Sequence, residues 1–328
     1  MRIVSALALG FLTAATPACA AEPPLALEAR IALPDVHGRI DHMAVDVEHR
    51  RLLVAELGND TLDVVDLAAG RPLRRIAGLA EPQGVGYAPA ADLVAVADAA
   101  DGRVRFFRGA EMAPAGILAL GGDADDVRTD PRTGNLIVGY GSGGLAVIDP
   151  RSRSKIADIR LAGHPEAFEI DAATGRAFVN VPDAKEIAVV DLTAGKQVGH
   201  WEAPGLHANF PMALDLANGA LAVVFRRPPT LVLIDKNSGA VRLRLDTCGD
   251  ADDLYFDAQR RRIYVSCGSG VIDVFEADGA GYRPVAHVPT ASGARTSLFV
   301  PQLDRLYVAA RAGFLGPGAA ILVFRPAP

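Results

Sequence analysis

Short apolar strands ending in an acid recur along the chain: LDVVD at 62–66, LAVID at 145–149, IAVVD at 187–191, LVLID at 231–235 and IDVFE at 272–276. Weaker copies, VRFF at 104–107 and ILVF at 321–324, bring the number to seven. A dozen or so residues before each lies a second apolar segment, as in RLLVA, DLVAVA, NLIVG, RAFVN, ALAVV, RIYVS and RLYVA. Turns rich in Asp, Gly and Pro separate them, such as DPRTGN at 130–135 and DAATGR at 171–176. After the acid-ending strand a Gly-containing turn leads to a fourth segment, as in PLRRIAG, KIADIRL, KQVGHW and AVRLRL. Each repeat therefore reads as a four-stranded antiparallel meander.

The segments are apolar on both faces rather than alternating, so both faces must be covered. Blades packed face to face around an axis satisfy that demand. The octets DADDVRTD, starting at Asp123, and DADDLYFD, starting at Asp250, stand 127 residues apart. That is three periods of about 42, a propeller spacing. The seventh repeat stops at ILVFRPAP, while LEARIALP at 27–34 has no partner of its own. The expected fold is all-β: a single seven-bladed β-propeller domain over 21–328, with four-stranded antiparallel blades and the N-terminal strand completing the last one. Closing the ring this way also removes exposed sheet edges.

Composition agrees. Of 328 residues, half are hydrophobic but only 6% aromatic, with 33 Gly and 22 Pro, which suits many short strands better than long helices. Residues 1–20 read separately: Arg2, the apolar run IVSALALGFLTAA, then Pro17 and ACA ending at Ala20. This is the pattern of a secretory signal peptide cut near Ala20, which predicts a periplasmic or secreted protein. No later segment is apolar for long enough to span a membrane. The TPAC stretch at Cys19 lacks the large apolar residue of a lipoprotein site. Loss of Arg2 takes the formal charge from −6 to −7, which argues against nucleic acid as a partner.

LLVAELGNDTLDVVDLAAGR (52–71) and AFVNVPDAKEIAVVDLTAGK (177–196) resemble the repeat of the YVTN/YncE-like bacterial propellers: a strand, an Asn-containing hairpin, a V-x-V-x-D strand and a Thr/Ala-Gly turn. The resemblance runs over the whole mature chain. It implies an exported seven-bladed propeller that binds something, without naming the ligand. A WD40 repeat is disfavoured, because no Trp-Asp pair occurs and the one tryptophan, Trp201, sits in a fourth strand.

If the first strand of each blade lines the channel, its entry lies at one mouth together with the loop joining strands two and three. The entries carry Asp41 and His42; Glu81 and Gln83; Asp125 and Asp126; His164 and Glu166; His207 and Asn209; Asp252 and Asp253; and Arg295. The loops add Glu56, Asn59, Asp98, Tyr140, Asn180, Arg226, Arg227, Cys267 and Arg311. The two DADD stretches then open the third and sixth blades, roughly 154° apart around a sevenfold ring. Neither has the spacing of an EF-hand loop, but carboxylates from different blades could converge on a divalent cation such as calcium.

Strand pairing places Asp41 within a residue or two of Glu56, two carboxylates whose mutual repulsion raises a pKa unless a cation intervenes. Either they supply an acid or base, or Asp41 caps a turn and the pair is structural. His42, His164 and His207 come from three blades and would form a zinc site only by converging. Arg226, Arg227, Arg295 and Arg311 either fork a carboxylate or phosphate, or neutralise the neighbouring acids. The same pairing sets Cys267 opposite Asp252. Cys248 and Cys267 are open to a disulfide, to packed or free thiols, or to a catalytic thiol. GYGSGG at 139–144 joins two strands and opens no helix, so it is not a phosphate loop.

Two readings follow. In the first, a monomeric exported propeller holds a small polar ligand or a periplasmic protein partner at its charged mouth. The alternative is a metal-assisted hydrolase, resembling the propeller lactonases, in which Asp41, Glu56, Glu166, Asn209 and Asp253 supply ligands or a base. A third idea gives the opposite, more basic face, with HRR at 49–51, RSRSK at 151–155 and RRR at 260–262, to anionic polymers.

Overall fold

Each apolar segment of the repeat is a strand, and in four of the five acid-ending copies the acid closes the turn that follows. Asp66 Oδ1 accepts the backbone N–H groups of Ala68 (2.8 Å) and Ala69 (2.9 Å). Asp191 does the same for Thr193 and Ala194, and Asp235 for Asn237 and Ser238. The recurring Asp is thus a turn cap; these N–H groups hold the Asp66 carboxyl below its ordinary range, and Arg242, then the N–H groups, do so for Asp235.

The computed structural model describes residues 22–279, 281–313 and 316–328; the expected signal peptide, residues 1–20, lies outside them. The described residues form 28 strands in seven four-stranded antiparallel sheets. Blade one is β2–β5 (43–77), blade two β6–β9 (82–119), blade three β10–β13 (124–160) and blade four β14–β17 (168–201). Blade five is β18–β21 (207–246) and blade six β22–β25 (251–289). Blade seven takes β26–β28 (297–326) and, as its outermost strand, β1 (Leu25–Ala32), which pairs antiparallel with β28 (Ala320–Pro326) from Leu25↔Pro326 to Ala32↔Ala320. The ring closes by the exchange of ends expected from the sequence. No helix among the described residues is long and apolar enough to cross a membrane.

Seven hydrophobic clusters fill the interior, each shared by two neighbouring blades. The one between blades one and two joins Leu53 and Leu62 to Val85 and Val94, and the one between seven and one joins Tyr307 and Ile321 to Leu52 and Val65. Second and third strands therefore bury both faces, as β3 (Arg51–Glu56) does along its whole length. The outermost strands, such as β5 (Arg71–Ala77), are mostly exposed.

Cys248 and Cys267 form a disulfide with Cα atoms 5.9 Å apart. It ties the linker before blade six to the end of β23 (Arg262–Cys267), and Asp273 Oδ2 accepts the Cys248 N–H at 2.8 Å beside it. The partner of Cys267 in the sheet is Ala251 rather than the expected Asp252, because a bulge between Ala251 and Asp253 shifts the register by one. A loop closed over a sequence separation of 19 corresponds to about 3 kcal/mol of unfolded-state restriction. Urea denaturation with and without reductant should show a loss of that order, reproduced by Cys248→Ser/Cys267→Ser.

Candidate functional site

In six of the seven blades a β-bulge re-aims a residue at the entry of the first strand. Along β6 (Pro82–Ala88), Pro82 faces Asp98 and Gly84 faces Ala97, leaving Gln83 as the extra residue of a β-bulge. In β22 (Ala251–Asp257) the extra residue is Asp252. Corresponding register shifts fall between Ala124 and Val127 in β10 (Ala124–Thr129) and between Asn209 and Met212 in β18 (His207–Asp215). They free Asp125 and Phe210. In blade one the Ala55 carbonyl accepts from Asp41 N (2.8 Å) while Ala55 N donates to His42 O (3.1 Å), so two residues again face one. Asn180 does the same with Glu166 and Ala167 in blade four. A bulge re-aims a side chain that regular alternation would send elsewhere. Gly84 permits the fit to blade three, since a Cβ there would collide with the Asp125 carbonyl oxygen.

The resulting ring is Asp41, Gln83, Asp125, Glu166, Phe210, Asp252 and, at the matching place in blade seven, Arg295. All but Asp41 line a cavity of about 340 Å³, together with Arg39, Asp123, His164 and Arg226. Asp41 lies beneath Arg39, only 1% exposed, with its Oδ2 2.8 Å from Arg39 Nη2.

Two charge groups face each other across this cavity. On the side of blades five to seven, Arg226 pairs with Asp252 and donates through Nε to the Ala251 carbonyl (2.7 Å). Its guanidinium stacks 3.7 Å above the Phe210 ring. Arg295 contacts Asp252 Oδ2 through Nε and Asp250 Oδ1 through Nη1, both at 2.8 Å. These two arginines and two aspartates neutralise one another.

On the other side, Asp125 lies between two histidines, 3.9 Å from His42 Nε2 and 3.6 Å from His164 Nε2. His164 Nδ1–H donates to the Gly141 carbonyl (2.6 Å), which aims Nε2 at Asp125. Burial disfavours both imidazolium ions, but surrounding carboxylates outweigh it: Asp41, Asp126, Asp253 and Asp125 hold His42 up to about 9, and Asp125 and Asp123 with the Gly141 carbonyl do so for His164. Burial, then Asp125, pushes Glu166 up to about 7 against the pull of His164. The Glu166 carboxylate makes no side-chain hydrogen bond among the described residues.

Below this ring His42 also borders a second cavity of about 230 Å³, lined by Arg128, Glu169, Asp253 and Tyr255. Asp253 and Asp126 belong to this deeper level. Asp253 Oδ2 accepts Ser297 N–H (2.6 Å), and Asp126 pairs with Arg128.

Several predicted residues stand apart from the mouth. Glu56 is buried within blade one, bonded to Thr61 Oγ1 and 3.8 Å from Arg75; burial and Asp63 push it up to about 8. Asn209 is buried between blades, donating to Asn180 Oδ1 and the Glu186 carbonyl, both at 2.9 Å. His207 is exposed and does not border the cavity, so His42, His164 and His207 do not share a site. Arg311 is exposed and packs over Gly293. The five candidate metal ligands, Asp41, Glu56, Glu166, Asn209 and Asp253, thus occupy different places. The described residues hold no group of three His, Cys, Asp or Glu side chains arranged for a metal ion.

On the opposite face part of each basic cluster is engaged. His49 and Arg51 bind Asp46, Lys155 binds Asp158, and Arg260 binds Asp257 and Asp304. The sequence reading missed Arg39, Asp123, Phe210, Arg128, Glu169 and Tyr255. The last three follow the bulge positions of their blades by three residues, which was the available signal.

Fold and channel define a seven-bladed β-propeller with a polar, bulge-built mouth. No family model and no curated protein matches the sequence. Among solved structures the chain is similar to Kuenenia stuttgartiensis hydrazine synthase, at 15% identity over 89% of this chain and 98% of that one, with a TM-score of 0.74. It is also similar to a chain of a mitotic checkpoint complex, at 13% identity over 99% of this chain and 98% of that one, with a TM-score of 0.79. At such identities the likeness is one of fold.

Proposed function

We propose that this chain is an exported, periplasmic binding propeller whose mouth holds a small polar ligand. The observation that carries this reading is the ring of channel-entry residues, which presents one side chain from each of six blades, two to seven, to a single cavity of about 340 Å³, a size that suits a small molecule. Support for export comes from the leader-like first twenty residues and the resemblance of the repeats to exported bacterial propellers. Opposed charge groups favour a ligand carrying both donors and acceptors, and Gln83 adds a neutral amide able to serve either. Among the described residues, no Ser, Thr or Cys side chain borders the cavity to act as a nucleophile.

A thermal-shift screen of small polar metabolites on the mature protein tests the proposal. A true ligand at a hundredfold its Kd stabilises by about 2.7 kcal/mol. That shift should shrink in Asp125→Asn and Glu166→Gln. A shift untouched by both variants would place the ligand elsewhere.

Metal-assisted hydrolysis keeps one observation in its favour: Glu166, held near neutrality without a side-chain partner, is suited to general-base work. A melting temperature lowered by EDTA and restored by calcium, magnesium or zinc, followed by turnover of a lactone or ester, would establish that alternative.

A further inference from the structure

The cavity below His42 has a chemistry of its own. Six positions three residues beyond the bulges meet there: Arg128, Glu169 and Tyr255 make it half polar, and Ala44, Gly86 and Leu298 make the other half small and apolar. Most of the polar groups are taken. Arg128 pairs with Asp126 and lies over the Phe168 ring. Tyr255 donates to the Ser297 carbonyl (2.7 Å), and Asp253 accepts the Ser297 N–H. His42 closes the top in the field of Asp41, Asp125, Asp126 and Asp253.

Two acceptors are left over. The Glu169 carboxylate makes no hydrogen bond or ion pair among the described residues. Asp126 is 1% exposed, its Oδ2 has no hydrogen-bond partner, and its field reaches His42, Arg128, Glu169 and Tyr255. When all three are ionised, the acids Asp126, Glu169 and Asp253 face only two cations, Arg128 and His42, so the fully charged chamber is one positive charge short. The apolar half suits a carbon chain better than a hydrated metal ion.

We propose that this chamber binds a small primary alkylammonium, its ammonium group on Glu169 and its carbon chain over Ala44, Gly86 and Leu298. The site shares only His42 with the mouth, and the proposal does not rest on what the mouth binds. Binding also carries a proton signature. Burial holds Glu169 up to about 7, against Arg128 and with Asp126 adding to the rise. A bound cation favours the carboxylate, so near pH 7 the complex releases part of a proton.

Calorimetry with n-butylammonium chloride at pH 7, in two buffers of different ionisation enthalpy, reads affinity and proton release together. Saturable binding with proton release is expected. Glu169→Gln, which keeps the side-chain shape and removes the carboxylate charge, should weaken binding at least about tenfold and abolish the release. Three results would overturn the proposal: no saturable binding to the native protein; binding that survives Glu169→Gln while falling in Glu166→Gln, which moves the site to the mouth; or tighter binding of glycine than of butylammonium, which makes a carboxylate the recognised group.

Discussion

Removal of the N-terminal strand β1 is expected to abolish cooperative folding. The strand contributes Leu25 and Ile31 to the interior and leads into Leu33, all three buried, and it pairs with β28 over nearly its whole length. Burying three large aliphatic side chains at roughly 2 kcal/mol each is about 6 kcal/mol, comparable with the entire stability of many domains. The deletion also uncovers β28, whose sequence AILVF is a strong edge for unwanted pairing. A variant lacking residues 22–33 should therefore be aggregated or molten by gel filtration and near-UV circular dichroism. A soluble variant that unfolds cooperatively within about 1 kcal/mol of the parent would show that closure by β1 is dispensable. The single substitution Ile31→Ala gives a milder measure, with an expected loss of 2 to 5 kcal/mol, or ~3.

Much of this architecture was legible because the repeat exposes its own logic. Asp66, Asp191 and Asp235 recur at strand ends since a turn there needs a carboxylate to accept N–H groups, and no ligand is required to explain them. The DADD stretches resolve in the same way. Asp125 and Asp252 occupy equivalent bulges in blades three and six, while Asp126 and Asp253 lie one level deeper.

The misplacements have a physical cause. Alternation along a strand tells which residues share a face, but a bulge adds one residue and reverses the count. Asn209 and Glu56 drew attention as polar groups near the mouth, yet they point between strands, to Asn180 and Thr61. Phe210, a residue that suggests core packing, is the one that reaches the cavity and carries Arg226. Arg128, Glu169 and Tyr255 were hidden because they follow apolar residues inside segments that read as buried strand. Whether such a group faces lumen or neighbour depends on the bulge before it.

The buried charges of the channel should also make the protein most stable in mild acid and steadily less so toward alkaline pH. For His42 and His164 the folded pKa, about 9, lies above the ordinary 6.5. Their contribution is complete below about 6.5 and disappears as pH rises through about 9. For Asp41, Glu166, Glu169 and Asp253, burial is the leading cause of pKa values of about 6 to 7, and Glu56 reaches about 8. Each costs nothing while protonated in both states and becomes a penalty as pH passes from the ordinary carboxylate range to the folded value. Both classes mean that the native protein binds more protons than the unfolded chain between about pH 4 and 9, so stability falls with pH across that window. Below it the sign reverses, because Asp46, Asp130, Asp171 and Asp235 have lowered pKa values and lose their stabilising contacts on protonation. One net proton tilts stability by about 1.4 kcal/mol per pH unit. These groups share a lumen and titrate together, so even a single net proton implies a loss of about 3 kcal/mol between pH 6 and 8. Urea denaturation at constant ionic strength from pH 5 to 9 measures the slope directly. A flat or rising profile would mean that water or counter-ions in the channel already compensate the carboxylates. Glu169→Gln should flatten the slope by removing one of the titrating groups, and saturating butylammonium should do the same in the native protein by supplying the charge the chamber lacks.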